Sequence, residues 1–229
     1  MRSLATLEDE LVECQRCPRL VEWRQEVAAT KRAAYADEEY WGRPVPGFGD
    51  PEGRLLILGL APAAHGANRT GRMFTGDRSG DWLYRAMFRA GFANQAEATG
   101  LDDGLTLTDA FVTSPVKCAP PDNKPSPGER DNCRSWLDAE LELLPRIQVV
   151  LCLGGYSYVQ ALVAYGRRGV VLPRPRTPFG HGSVVSLDGG PAIVMSYHPS
   201  QQNTFTGRLT EEMLDSIFDK AKALLEDGA

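Results

Sequence analysis

Four short apolar runs, each with few polar residues, decide what this chain can fold into. They are residues 54–61 (RLLILGLA), 109–116 (DAFVTSPV), 148–153 (QVVLCL) and 191–197 (PAIVMSY). A strand with one wet face alternates apolar and polar side chains, whereas a nearly unbroken run suits a strand covered on both faces. Segments with helical spacing of apolar residues separate them, over 79–90, 126–144 and 156–165, and another follows at 210–225. Two more, 4–13 and 20–34, lead the chain, broken apart by CQRCP. Parallel neighbours need crossover connections, and buried strands alternating with amphipathic helices supply them. The sequence therefore predicts an α/β fold, a three-layer α/β/α sandwich with a central, mainly parallel sheet, formed as one domain over 1–229. Open sheets of this kind place a ligand beyond the carboxyl ends of the strands. The chemically unusual residues follow the runs: Ala63-Ala64-His65-Gly66, then Lys117 to Asn123, then His198-Pro199-Ser200.

A net charge of −5 argues against a protein that coats nucleic acid by charge alone, because such binding rests on Lys and Arg neutralising phosphates. Local basic groups remain: Arg69, Arg72 and Arg78 fall close together, and Arg167, Arg168, Arg174 and Arg176 form a second group. The opening residues MRSLATLEDELVEC carry acidic side chains and no apolar core of a signal peptide, which predicts a cytosolic protein. The longest apolar stretch, from Val149 to Tyr165, is interrupted by Gly154, Gly155, Ser157 and Gln160 and falls short of the ~20 apolar residues that span a bilayer.

Five cysteines are present: Cys14, Cys17, Cys118, Cys133 and Cys152. Cys152 lies inside an apolar run and reads as an ordinary core thiol. Cys14 and Cys17 form a C-x-x-C pair in a polar turn, a spacing that lets two thiolates grip one metal centre. Cys118 is expected to end a strand and Cys133 to stand near the start of the following helix. Two separated pairs suit either tetrahedral zinc or a [4Fe-4S] cluster, and spacing does not choose between them.

Three segments then carry a resemblance: Gly59 to Arg72 (GLAPAAHGANRTGR) continuing to Asp77, Pro115 to Cys118 (PVKC) continuing to Pro125, and His198 to Arg208 (HPSQQNTFTGR). Together with the cysteine pairs, in this order, they resemble the uracil-DNA glycosylase superfamily and, within it, the family 5 or B-type enzymes that carry an iron–sulfur cluster. The match covers nearly the whole chain. It implies a monofunctional glycosylase that flips uracil, and related damaged bases such as hypoxanthine or ethenocytosine, out of DNA and hydrolyses the N-glycosidic bond. It implies a [4Fe-4S] cluster on Cys14, Cys17, Cys118 and Cys133, with zinc as the alternative, and a structural role for it, since base hydrolysis needs no electron. A monomer is expected, because a strongly bent DNA leaves little room for a partner subunit.

The resemblance also assigns roles. His198 would donate a hydrogen bond to the base O2 as the base leaves, Phe74 would stack on the flipped base, and Asn123 would meet its Watson–Crick edge. An amide both donates and accepts, as uracil requires, whereas a carboxylate only accepts. Many superfamily members hold the attacking water with an acidic or amide side chain just after the G-x-A-P segment; here Ala63, Ala64, His65 and Gly66 stand there. Ala63 would form a small wall of the base pocket. Asp77 is the candidate for the missing carboxylate, and equally a candidate N-cap for the helix near Ser79. His65 is a further candidate for polarising sugar or water. Gln201, Gln202, Asn203 and Thr204 would belong to a loop, running to Gly207, that enters the duplex, with Arg208, Arg69 and Arg72 toward phosphates. Two other readings stay open from the residues alone: a metal-stabilised nucleic-acid-binding module without catalysis, and a small-molecule hydrolase in the same crevice. Against the latter, no G-x-x-x-x-G-K-[ST] loop is present.

Overall fold

A computed structural model describes residues 3–227. Its six-stranded sheet runs in the order β1-β3-β2-β4-β6-β5, with β1 at Phe48–Gly49, β2 at Leu55–Leu58, β3 at Ala110–Thr113, β4 at Val149–Leu153, β5 at Val184–Ser186 and β6 at Ala192–Ser196. The inner four strands are parallel and start in step, Leu55 beside both Ala110 and Val149, and Val149 beside Ala192. The edge strands β1 and β5 are antiparallel to their neighbours. The four apolar runs are the four inner strands, each shorter than its run. The two edge strands have no such run, since a strand of two or three residues with one open side leaves little pattern.

Helices α1 (Leu4–Val12), α2 (Pro18–Thr30), α3 (Ala67–Thr70), α4 (Arg78–Ala90), α5 (Pro127–Leu143), α6 (Gly155–Arg167), α7 (Gln201–Phe205) and α8 (Glu211–Asp227) complete the layers. Alternate residues of β2 face opposite ways. Leu55 and Ile57 pack with Leu83, Tyr84 and Met87 of α4 and with Ile217 and Phe218 of α8. Leu56 and Leu58 pack with Leu137 and Leu141 of α5 and with Tyr158 and Leu162 of α6. Cys152 lies in this second face, buried among apolar side chains as expected. Each such side chain taken from water stabilises the fold by roughly 1.5–3 kcal/mol, which is why both faces must be covered. A third cluster, Leu7, Leu11, Leu20, Val116, Trp136 and Ala139, fastens α1 and α2 to α5. Helix α2 stops at Thr30, four residues before the expected end, where Lys31 takes a left-handed φ of 56°. Among the described residues no helix is long and apolar enough to cross a membrane.

The connection from β3 to α5 is held by buried charge. Strand β3 ends at Thr113, so Cys118 lies in the loop beyond it and not at a strand end. Lys117 of this loop is fully buried, and its Nζ donates to both carboxylate oxygens of Glu140 on α5, at 2.7 and 2.6 Å, and to the Thr113 hydroxyl. Glu140 also accepts from the Thr113 hydroxyl and the Gly47 N–H. The start of α5 is fixed by a capping box, in which Ser126 accepts from the Glu129 N–H and Glu129 from the Ser126 N–H. Removing one partner of a buried pair leaves the other charge unmatched, at a cost of about 3–5 kcal/mol. Glu140→Ala is therefore expected to destabilise the protein by about that amount in urea unfolding, and Asp138→Ala, which breaks the exposed pair with Arg167, by about 1 kcal/mol or less.

Candidate active site

The strand ends converge on a cavity of about 590 Å³. Its lining comes from three connections: Leu60 to Ala63 after β2, Asp122 and Asn123 after β3, and His198, Ser200, Gln201 and Gln202 after β6. Met73, Phe74, Asp77, Arg78 and Ser79 close it from the start of α4. Strand β2 lies between β3 and β4, which are reached through α4 and α5 on opposite faces of the sheet, and such a switch is where an open α/β sheet forms its crevice. A larger groove of about 820 Å³ runs along α6 beside Val159, Leu162, Val163 and Val171, but Arg174 and Arg176 are its only titratable groups.

Phe74 is seated by strained backbone and two glycines. It takes a left-handed φ of 55°, costly for a residue with a Cβ and maintained only where the surroundings over-determine it. A Cβ at Gly59 would stand 2.8 Å from its ring, and one at Gly80 would stand 1.7 Å from its carbonyl oxygen. Its ring lies 5.8 Å from the imidazole of His198, tilted by 31°. The two rings thus form one corner of the cavity, with an aromatic face for stacking and an imidazole for hydrogen bonding.

Asp77 is the N-cap of α4, accepting the Gly80 N–H at 3.0 Å, and it lines the cavity as well. A Cβ at Gly66 would stand 2.0 Å from its other carboxylate oxygen, so the loop after β2 touches the carboxylate only because residue 66 is glycine. Burial pushes the Asp77 carboxyl up, and the Gly80 and Ser79 N–H groups draw it back in part. Burial lowers His198 to about 4, leaving a neutral imidazole near pH 7. His198 is held through its carbonyl, which accepts the Asn203 amide at 2.8 Å. Asn123 stands exposed at the mouth in a tight turn where it and Asp122 both have left-handed φ, and Ala63 is a small wall opposite.

Residues 46–222 match the model of the uracil DNA glycosylase superfamily. The chain belongs to this superfamily. It is 57% identical over 212 residues to the type-5 uracil-DNA glycosylase of Mycobacterium bovis, covering 92% of this chain and 78% of that protein. It is 51% identical to the type-5 enzyme of Mycobacterium leprae, over 97% of this chain and 96% of that one. Identity to the type-5 enzyme of Thermus thermophilus is 49%, over 93% and 94%.

Several positions expected from the superfamily pattern are used differently. Arg69 is buried: its guanidinium pairs with Glu38, donates to the carbonyls of His65 and Gly76, and lies 3.9 Å over the ring of Tyr35. Arg72, also buried, pairs with both oxygens of Asp103 and donates to Thr75. Neither can reach a phosphate without dismantling the fold, which corrects their expected role; Arg close in sequence to a pocket signals charge but not direction. Asn203 turns inward to His198, and Gln201 to Phe205 is a turn of helix instead of an open loop, Thr204 bonding back to the Gln201 carbonyl. Gln201 and Gln202 remain at the mouth, and Arg208 is exposed over the Tyr197 ring at 4.5 Å. His65 pairs with the Tyr40 hydroxyl and lies outside the cavity lining. Outside the lining stand three residues that the sequence does not single out: Tyr197, His181 stacked 4.9 Å from it and accepting its N–H, and exposed Phe205 with the lining residue Arg78 4.3 Å over its ring. Phe205 and Tyr197 flank the HPS segment, so aromatics beside that motif were the available signal.

Cys14, Cys17, Cys118 and Cys133 line one small cavity between α1, α2, the β3–α5 loop and α5. Three sulfurs accept N–H groups: Cys118 from Arg24 at 3.0 Å, Cys133 from the Lys117 backbone at 3.3 Å, and Cys17 from Asn132 at 3.6 Å. Donors aimed at sulfur fit thiolates bound to metal, as does the apolar shell. Among the described residues no group of three or more His, Cys, Asp and Glu side chains is set to hold a single metal ion.

The depressed His198 sets a pH dependence. An unfolded chain takes up this proton near the ordinary 6.5 and the folded chain only near 4, so the unfolded state binds more protons between them. This residue's contribution to stability is complete above pH 6.5 and declines as pH falls through that window. An NMR titration of the imidazole in the folded protein is expected to give a midpoint below 5; one near 6.5 would contradict the burial read here.

Proposed function

We propose that the protein is a uracil-DNA glycosylase that extrudes the base and hydrolyses its bond to deoxyribose. The observation that carries this reading is the meeting of Phe74, Asp77, Asn123 and His198 at one cavity, in a chain whose relatives bear the name type-5 uracil-DNA glycosylase. In the transition state negative charge grows on the departing pyrimidine and positive charge on the sugar. A neutral His198 can donate to the base O2 without adding an unmatched buried cation, and such a preorganised donor contributes about 2.7–4 kcal/mol. Phe74 holds the ring by stacking, and the Asn123 amide meets its polar edge. Asp77, with its proton affinity raised, orients and deprotonates the attacking water while capping α4.

The wall at Ala63 is small, which supports acceptance of bulkier damaged bases such as hypoxanthine and ethenocytosine. Extrusion costs a few kcal/mol, and exposed Phe205, braced by Arg78, is positioned to recover part of it by entering the stack. Cys14, Cys17, Cys118 and Cys133 would hold a [4Fe-4S] cluster, or zinc in its place. When bound it supplies a cross-link that ties the α1–α2 turn to the loop carrying Asn123.

The test is incubation with duplex DNA bearing one uracil, followed by alkali. Strand cleavage at that position alone is expected, and binding without cleavage would overturn the reading. Asp77→Asn separates the two roles of that residue. Asparagine caps a helix as well as aspartate does, so the melting temperature should hold while single-turnover uracil release falls at least about 100-fold. An unchanged rate would leave Asp77 as a cap only.

A further inference from the structure

Among the described residues every buried cationic side chain but one has a carboxylate partner: Arg69 with Glu38, Arg72 with Asp103, and Lys117 with Glu140. The exception is Arg24 of α2. It is 2% exposed, pairs with no carboxylate, and has its Nε without a partner. Its two terminal nitrogens are directed at the cysteine cavity, Nη1 to Cys118 Sγ at 3.0 Å and Nη2 to the Cys14 carbonyl at 3.2 Å. Its own backbone carbonyl accepts the amide of fully buried Asn68, which anchors that turn of α2 beside the loop after β2.

An unmatched guanidinium in an apolar interior costs several kcal/mol, so a folded chain retains one only where an anion answers it. We propose that Arg24 is the internal counter-charge of an anionic thiolate centre formed by Cys14, Cys17, Cys118 and Cys133, and that it governs how tightly the centre holds its metal. This rests on the metal reading given above. Four thiolates carry four negative charges, and zinc or a [4Fe-4S] core with two positive charges leaves a net −2 to be balanced. The other donors at the sulfurs, the Lys117 backbone and the Asn132 amide, are neutral, and the Lys117 ammonium is already matched by Glu140. Arg24 is therefore a positioning residue with a charge requirement, and it touches neither base nor sugar.

The experiment uses whole protein purified without air as wild type, Arg24→Lys, Arg24→Gln and Arg24→Met. Iron and zinc are measured first, then the rate of metal loss to excess chelator, with circular dichroism reporting the fold. Arg24→Gln and Arg24→Met are expected to lose metal about 10- to 100-fold faster than wild type, the usual effect of removing a partner of metal ligands. Arg24→Lys, which retains the charge, should stay closer to wild type. Gln and Met variants holding metal as long as wild type would overturn the proposal, as would a Lys variant as labile as Met. A wild type with less than one centre per chain would overturn the metal reading itself, and that result is read before any variant is compared.

Discussion

The ion pair between Lys117 and Glu140 sits where everything else in this molecule meets. It closes one turn of loop onto α5, and from that turn the chain leads in two directions. The Lys117 N–H reaches Cys133, and its carbonyl accepts the Val45 N–H. Cys118 follows immediately, and Pro120 to Asn123 turn toward the base cavity within five residues. A charge pair with this burial adds little net stability over apolar packing, but it permits only one arrangement of the groups around it. Placing Asn123 relative to His198 demands that kind of specificity.

The base cavity is built in the opposite manner, by absence of side chains. Gly59, Gly66 and Gly80 each let another group occupy space that a methyl would take: the Phe74 ring, the Asp77 carboxylate and the Phe74 carbonyl. The Asp77 carboxylate and the Phe74 ring are thereby pressed against the end of β2, and the strain at Phe74 is absorbed by the helix that begins four residues later. Burial then acts on the two titratable groups in opposite senses of charge, raising Asp77 and lowering His198. The imidazole is thereby held neutral near pH 7, and the carboxylate gains proton affinity.

Much of this was legible in the sequence, for identifiable reasons. Burial on both faces writes itself into composition, and so the inner strands β2, β3, β4 and β6 could be read directly, along with the loops that follow them. The two antiparallel edges could not, because two or three residues such as Phe48–Gly49 carry no period. Motif residues Phe74, Asp77, Asn123 and His198 arrive at one cavity as the strand-end rule requires. The failures concern direction. Arg69, Arg72 and Asn203 lie within the right segments, yet their side chains point inward to Glu38, Asp103 and the His198 carbonyl. Nothing local distinguishes a buried arginine from an exposed one; the partner is about 31 residues away in each case, and only the fold brings them together.

The central claim is that one extruded nucleobase fits between Phe74, Asn123 and His198. A crystal structure of the protein with duplex DNA carrying 2′-fluoro-deoxyuridine, whose glycosidic bond resists cleavage, tests it most directly. The expected result is a uracil ring stacked on Phe74, with O2 within hydrogen-bonding distance of the His198 imidazole and the Asn123 amide at its far edge. A uracil still paired in the duplex, or bound along the α6 groove with this cavity empty, would contradict it.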